Sequence, residues 1–444
     1  MTGGAGMTEI RPGYKQTEVG VIPEDWEIKQ LGDLGYIFGG LSNKTKKDFG
    51  VGNSRYIPFM NVIYNTTIDT NDLEFVNVGD GENQNKVDKG DLFFNGSSET
   101  PEEVGMCAVL LEELENTYLN SFCFGFRLYD LDAINGLFLA CFFRSNAGRS
   151  LLYSLAQGAT RYNLSKTSLL KVKFPIPPIS EQIAIVNTLS DLDAEIVALD
   201  ALQSKKRAIK QAAMQQLLTG QTRLPGFSGE WEIKPLGELG FTFGGLSNKT
   251  KSDFGVGTSR YIPFMNVIYN TIIDTNDLEF VNVGDGENQN KVNKGDLFFN
   301  GSSETPEEVG MCAVLLEELE NTYLNSFCFG FRLYDLDAIN GLFLAYFFRS
   351  NAGRSLLYSL AQGATRYNLS KTSLLKVKFP IPSISEQIAV VNILSDMDAE
   401  ISALEAQRAK VQASSRACCK NCSPAAPGWC KPPHRLPPPY LIEG

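Results

Sequence analysis

The chain has 444 residues, with 51 acidic against 40 basic side chains and a formal charge of −11. That balance argues against a nucleic-acid partner held by bulk charge, because phosphate contacts need Lys and Arg. Hydrophobic residues at 43% and aromatic residues at 11% supply ordinary cores and exclude bulk disorder.

From the N-terminus, MTGGAGMTEIRPGYKQ lacks a basic-then-apolar signal segment, and Met7 is a candidate natural start. No apolar run reaches the roughly 18 residues of a membrane span, so the reading is a soluble, cytoplasmic protein. Trp26–Asp200 then aligns without gaps to Trp231–Glu405, with fifteen differing positions, so one set of elements describes both copies. About 150 residues can close a core of their own, which makes each copy a domain rather than a solenoid repeat.

Within a copy, RYIPFMNVIY, GDLFFNG, CAVLLEE and FCFGFRLY read as β-type runs separated by Gly, Asn and Asp turn signals. AINGLFLACFFRSNAGRSLLYSLA spaces its large apolar residues by three and four, which predicts one helical segment. LLKVKFPIP reads as a last strand stopped by prolines. Ser180 is placed to cap the helix that follows, with Glu181 in its first turn. Leu189, Leu192, Ile196 and Leu199 recur at three-four-three spacing, as do Leu394, Met397, Ile401 and Leu404, the pattern of a coiled-coil seam. The first of these helices continues to a stop at Gly220, and some forty residues make a rod of roughly 60 Å. A rod that leaves the first copy pairs with its like from the second only if that one returns. The expectation is an α+β protein: two near-identical mixed α/β domains joined by two long helices in an antiparallel coiled coil, with pseudo-two-fold symmetry.

Charge is unevenly distributed. Phe142–Lys173 holds six cations, Arg144, Arg149, Arg161, Lys166, Lys171 and Lys173, and no carboxylate; Phe347–Lys378 repeats them. A solvated face usually mixes signs, so these stretches are candidates for anion binding.

Catalytic chemistry is hard to find. The repeats hold no histidine, and His434 stands alone in the tail, which removes Ser–His–Asp, Cys–His and paired-His metal arrangements. GATRYNLSKT lacks the spacing of a phosphate loop, and GDGENQ lacks the third glycine of a dinucleotide fingerprint. No Asn/Asp-Pro-Pro-aromatic element of an amino-methyltransferase occurs. Asp88 becomes Asn293, so it is not an essential acid in both copies. Cys107 and Cys123 recur as Cys312 and Cys328 and read as small buried hydrophobes, while Cys141 becomes Tyr346.

The tail from Ala413, ASSRACCKNCSPAAPGWC, invites a metal reading through Cys418, Cys419, Cys422, Cys430 and His434. Yet allowed codons for it, with one base restored after the alanine's GC, translate as Ala-Ile-Lys-Gln-Gly-Met-Leu-Gln-Glu-Leu-Leu-Thr-Gly-Arg-Thr-Arg-Leu. That is close to AIKQAAMQQLLTGQTRL, which ends the first rod. The tail therefore reads as an out-of-frame ending, with no metal site. Its shortening of the second rod should leave Ile209, Met214, Leu217 and Leu218 of the first without partners.

YKQTEVGVIPEDWEIKQLGDLG, KGDLFFNGSS, GATRYNLSKTSLLKVKFPIPPISEQIAI and KKRAIKQAAMQQLLTGQTRLPGFSGEWE together resemble the DNA-specificity subunits of type I restriction–modification systems. The resemblance spans almost the whole chain. It implies a non-catalytic subunit that binds double-stranded DNA and docks two methyltransferase subunits, with restriction subunits joining. S-adenosylmethionine, ATP and magnesium would belong to those partners, and this chain would carry no cofactor. The implied division is a first target-recognition domain over 1–179, a spacer helix over 180–222, a second recognition domain over 223–384, a truncated spacer helix over 385–413 and a non-native tail over 414–444.

Candidate DNA contacts in the first copy are Lys44, Lys46, Lys47, Arg55, Asn95, Arg144, Arg149, Arg161, Tyr162, Asn163 and Lys166. In the second they are Lys249, Lys251, Arg260, Asn300, Arg349, Arg354, Arg366, Tyr367, Asn368 and Lys371. Cations would grip phosphates, and polar residues around SNKTKKDFG and NGSSETP would read base edges. The family's two domains usually differ, whereas these are nearly identical, which predicts an interrupted palindrome as the target. The alternative is a tandem scaffold that binds proteins through its coiled coil and no DNA.

Overall fold

The computed structural model describes residues 12–158, 160–284, 286–363 and 365–421. Met7 and most of the tail, including Cys422, Cys430 and His434, lie outside them. One compact unit takes the residues up to Ala198 and again from Gln407; the other is Leu199–Ala406. The unit boundary therefore falls inside both long helices rather than at their ends.

Each unit is built on a four-stranded antiparallel sheet. In the first unit its order is Gly35–Gly39, Cys123–Leu128, Leu92–Asn95 and Cys107–Val109. Alternation along Leu92–Asn95 sends Leu92 and Phe94 into one apolar cluster and Phe93 into another, so both faces are covered. Gly125 is required on that sheet, because a Cβ there would lie 2.1 Å from the Phe38 ring. A second sheet sets Phe49–Ile57 between Glu74–Val76, antiparallel, and Thr117–Leu119, parallel. Small ladders join Ser97–Ser98 to Tyr162–Leu164, and Glu27–Gln30 to Lys173–Ile176. The second unit repeats this topology strand for strand.

Three local expectations are corrected. RYIPFMNVIY is strand only to Ile57; after Pro58 it turns helical over Phe59–Tyr64. The expected single helix is two, Gly136–Arg144 and Asn146–Leu155. Ser145 ends the first, its N–H donating to Cys141 and Phe142 carbonyls, and caps the second by accepting from Gly148 N–H. Ser180 is not a cap, since the long helix already begins at Ile179.

The two long helices span Ile179–Leu217 and Ile384–Asn421. Gly220 follows the first with φ +70°, the left-handed conformation that suits glycine beyond a helix end. Inside the second unit they run antiparallel: Lys206 pairs with Glu400 at 2.6 Å, Arg207 with Glu405 at 2.5 Å, and Lys210 with Asp398. Inside the first, Gln407 donates to Glu195 at 3.3 Å. Leu189, Leu199, Leu394 and Ile401 are buried, while Leu192, Ile196, Met397 and Leu404 are half-buried, consistent with an apolar seam. Among the described residues no helix is long and apolar enough to cross a membrane.

The expectation of stranded apolar residues fails for three of four. Met214, Leu217 and Leu218 are buried in the second unit's own core, and only Ile209 is exposed. The end of the first rod completes a globular domain, so its apolar residues find partners there.

Candidate nucleic-acid interface

Two groups of exposed cations emerge in each unit, both organised by backbone turns. The first lies along Ser42–Asp48, where Asn43 takes φ 55°. Asp48 accepts from the Thr45 N–H at 2.8 Å and from its hydroxyl at 2.7 Å. These bonds, the backbone one foremost, hold the Asp48 carboxyl below the usual range, and Asp253 repeats the arrangement. Lys46 and Lys47 project from this turn into solvent. Lys251 matches Lys46, whereas the match of Lys47 is Ser252, so that cation belongs to one copy alone. On the adjoining sheet Arg55 is exposed with its guanidinium 5.9 Å from the Phe75 ring, and Arg260 stands the same way on Phe280.

The second group surrounds Ser97–Ser98. Strand pairing sets Asn163 opposite Ser97 and Tyr162 opposite Ser98. Arg161 donates to the Ser97 hydroxyl at 3.1 Å and lies 5.8 Å from the Phe122 ring, which is 58% exposed. Phe122 in turn meets Phe59 edge-on. Lys166 sits 5.4 Å from the Phe124 ring. Arg366, Phe327, Phe264 and Lys371 reproduce this group. A guanidinium resting on an exposed ring has its hydrophobic plane covered while its donors stay at the rim, a geometry suited to contacting a polyanion.

Other candidates are committed to the fold. Arg144 donates to Cys107 O at 2.5 Å and to the carbonyls of Val62, Ile63 and Asn65, which closes the end of the Phe59–Tyr64 helix. Arg349 does the same, and burial lowers its pKa to about 10. Arg149 and Arg354 bind the carbonyls of Glu102 and Val104, and of Glu307 and Val309. Asn95 and Asn300 are fully buried; Asn95 joins Ser97 O, Glu103 O and Met106 N–H, pinning the NGSSETP turn. Lys44 has 4% of its side chain exposed, pairing with Glu82 at 2.5 Å and Asn77 O at 2.6 Å, and Lys249 pairs likewise with Glu287. For these eight residues the physical reason is common: backbone carbonyls at helix and loop ends need donors, and these side chains supply them.

The sequence reading missed Phe75, Phe122 and their copies Phe280 and Phe327, which carry the arginines. The signal was present in NSFCFGF, where Asn120 accepts from the Phe122 N–H and so marks Phe122 as a turn residue rather than the first of a strand. Among the described residues no group of His, Cys, Asp or Glu could hold a metal ion. Cys107, Cys123, Cys312 and Cys328 are buried free thiols, and burial pushes the Cys328 pKa up to about 12.

Comparison with known proteins gives concordant results. Residues 23–210 and 228–413 each match the family model for the type I restriction modification DNA specificity domain. The chain is 27% identical over 318 residues to the type I restriction enzyme EcoKI specificity subunit of Escherichia coli K12, spanning 69% of this chain and 67% of that one. It is 25% identical over 413 residues to the StySPI specificity subunit of Salmonella potsdam, spanning 87% and 85%. In fold it is similar to the HsdS subunit of Thermoanaerobacter tengcongensis, with TM-score 0.52, 17% identity and 90% and 97% of the two chains covered. A chain solved in a study of type I R-M complex assembly and conformational transition gives TM-score 0.58 at 16% identity, covering 90% and 98%.

Proposed function

The chain belongs to the type I restriction modification DNA specificity family, and from that premise we propose how its twin domains read DNA. It is the DNA-recognition subunit of a type I restriction–modification system, and catalysis lies in partner subunits. Each domain reads one half of a split duplex site. The exposed Lys46, Arg55, Arg161 and Lys166, with Lys47 in the first copy only, contact phosphates and set register. Tyr162, Asn163 and Ser98 face base edges, and Lys251, Arg260, Arg366, Lys371, Tyr367 and Asn368 act alike on the other half-site. Two methyltransferase subunits and restriction subunits complete a cytoplasmic complex, and the methyltransferases bring S-adenosylmethionine and flip the target base.

The observation that carries this reading is the duplication itself. The same exposed cations stand on the same exposed rings in both copies, although fifteen other positions have diverged. Twin readers related by a two-fold prefer inverted half-sites, so the target is an interrupted palindrome. Methylome sequencing of cells carrying the complete system tests this: inverted identical half-sites are expected, and unrelated half-sites would refute the palindrome. The scaffold alternative has no support from the relatives, which are specificity subunits.

A further inference from the structure

Phe122 is 58% exposed beside the Ser97–Ser98 turn, and Phe327 is 57% exposed at the matching place. Single exposed apolar residues are ordinary on a protein surface, but this one is fixed as firmly as the polar residues around it. Its N–H donates to Asn120 Oδ1 at 2.9 Å, and its carbonyl accepts from the Gly96 N–H at 2.9 Å. The Gly96 carbonyl in turn accepts from the Leu164 N–H at 2.9 Å. Phe122 is thereby tied to the ladder that sets Tyr162 opposite Ser98 and Asn163 opposite Ser97. The second unit repeats these bonds through Asn325, Gly301 and Leu369.

The ring carries the Arg161 guanidinium over one face, 5.8 Å from its centroid, and meets Phe59 at 84° with centroids 6.5 Å apart. A side chain that wedges between base pairs needs both faces free to stack, so this ring is not built to intercalate. What it leaves open is an apolar surface set between a guanidinium and hydrogen-bonding side chains. Among the groups that base edges present in the major groove, the thymine C5-methyl is the apolar one, and the others are hydrogen-bond donors and acceptors. In a B-form duplex that methyl lies on the wall of the groove, next to the phosphate 5′ to its own nucleotide. An arginine on that phosphate and a ring beside the arginine can therefore meet both at once.

We propose that Phe122 and Phe327 each contact the C5-methyl of one thymine per half-site, which makes thymine a fixed base of the target. The contact rests on the reading that Ser98, Tyr162 and Asn163 face base edges, and it adds the base that an apolar neighbour of those residues selects. Arg161 takes the adjoining phosphate, and the ring discriminates thymine from cytosine, which bears only hydrogen at C5. Because the second unit holds Phe327, Phe264 and Arg366 in the same arrangement, the thymine falls at the same step of each inverted half-site.

The test uses the full chain with its methyltransferase subunits and the duplex target defined by methylome sequencing. Each thymine position in turn is replaced by deoxyuridine in both half-sites, which removes the methyl and keeps every hydrogen-bonding group. At one position binding should weaken about fifteen-fold, since one buried methyl is worth about four-fold and two are lost. A chain carrying both Phe122→Ala and Phe327→Ala should bind the thymine and deoxyuridine duplexes alike at that position. No deoxyuridine effect at any position, an equal effect in the double variant, or a half-site without thymine on either strand would each overturn the proposal. So would a double variant that lowers the salt slope while the unaltered chain ignores deoxyuridine, because the rings would then serve only to carry Arg161 and Arg366. A complex that binds no duplex at all would instead refute DNA recognition itself, and this contact with it.

Discussion

Tyr346 donates its hydroxyl to Asp398 at 2.7 Å, while the Lys210 ammonium lies 5.1 Å from the same ring and pairs with the same carboxylate. One aromatic residue thus ties the domain to both long helices within the second unit, and the first copy has Cys141 in its place. Tyr346→Phe removes one hydrogen bond to a charged group and should cost about 1.5–3 kcal/mol. Tyr346→Cys also empties a fully buried site, and about 3–5 kcal/mol is expected by analogy with large-to-small core substitutions. Urea unfolding of both variants checks the order; equal losses would show that the ring contributes little beyond its hydroxyl.

Arg144 and Arg161 are predicted to behave oppositely, although both come from one acid-free stretch. Arg144→Ala strands carbonyls that now share one guanidinium, and it should destabilise the first unit by about 2–4 kcal/mol. It should leave the salt dependence of DNA binding unchanged once folded protein is compared. Arg161→Ala should leave stability within about 0.5 kcal/mol and reduce the salt slope by roughly one ion. Denaturant unfolding and salt-dependent DNA binding of the two variants decide between them.

The Asp88 to Asn293 difference supplies a natural control. Arg127 binds Asp91 with two donors, at 2.8 and 2.7 Å, and also reaches Asp88 at 2.6 Å; Arg332 keeps the fork to Asp296 without a second carboxylate. Asp91 is 1% exposed, and burial raises its pKa against the pull of Arg127. Asp88→Asn should therefore be within about 0.5 kcal/mol of neutral. Asp91→Ala removes the buried partner and should cost about 3–5 kcal/mol. Thermal unfolding of the two variants tests the contrast.

The architecture was readable where local pattern and tertiary need coincide. The repeat, the LFF strand and the long helices all follow from periodicity, because their apolar faces are what the core buries. The site was less readable for a specific reason. Arg144, Arg149 and Arg161 look alike in sequence, yet only the course of the chain brings carbonyl-rich helix and loop ends to the first two. Likewise Met214, Leu217 and Leu218 looked stranded because their partners lie in the following domain, more than 100 residues along the chain at Leu342 and Val390. Phe122 was missed since an apolar residue beside a strand is by default assigned to the strand.

The Ser42–Asp48 turn should respond to acid in a way that reports on the lysines it presents. Asp48 holds the Thr45 N–H and hydroxyl, and its carboxyl lies below the ordinary value in the folded state. A carboxyl depressed by folding contributes stability at pH above its unfolded value, and that contribution is lost as pH falls through the folded one. Protection of the Thr45 amide from hydrogen exchange should thus be full near neutrality and decline below about pH 4, the ordinary aspartate range. Thr250 should follow through Asp253, which makes the same bonds. Asp48→Ala should show low, pH-independent protection at Thr45 and leave Thr250 unchanged, since each turn is closed by its own aspartate. In DNA binding the same variant should weaken one half-site through misplaced Lys46 and Lys47 and leave the other intact. Equal weakening of both half-sites would mean that the turn acts through global stability instead of through the placement of these two cations.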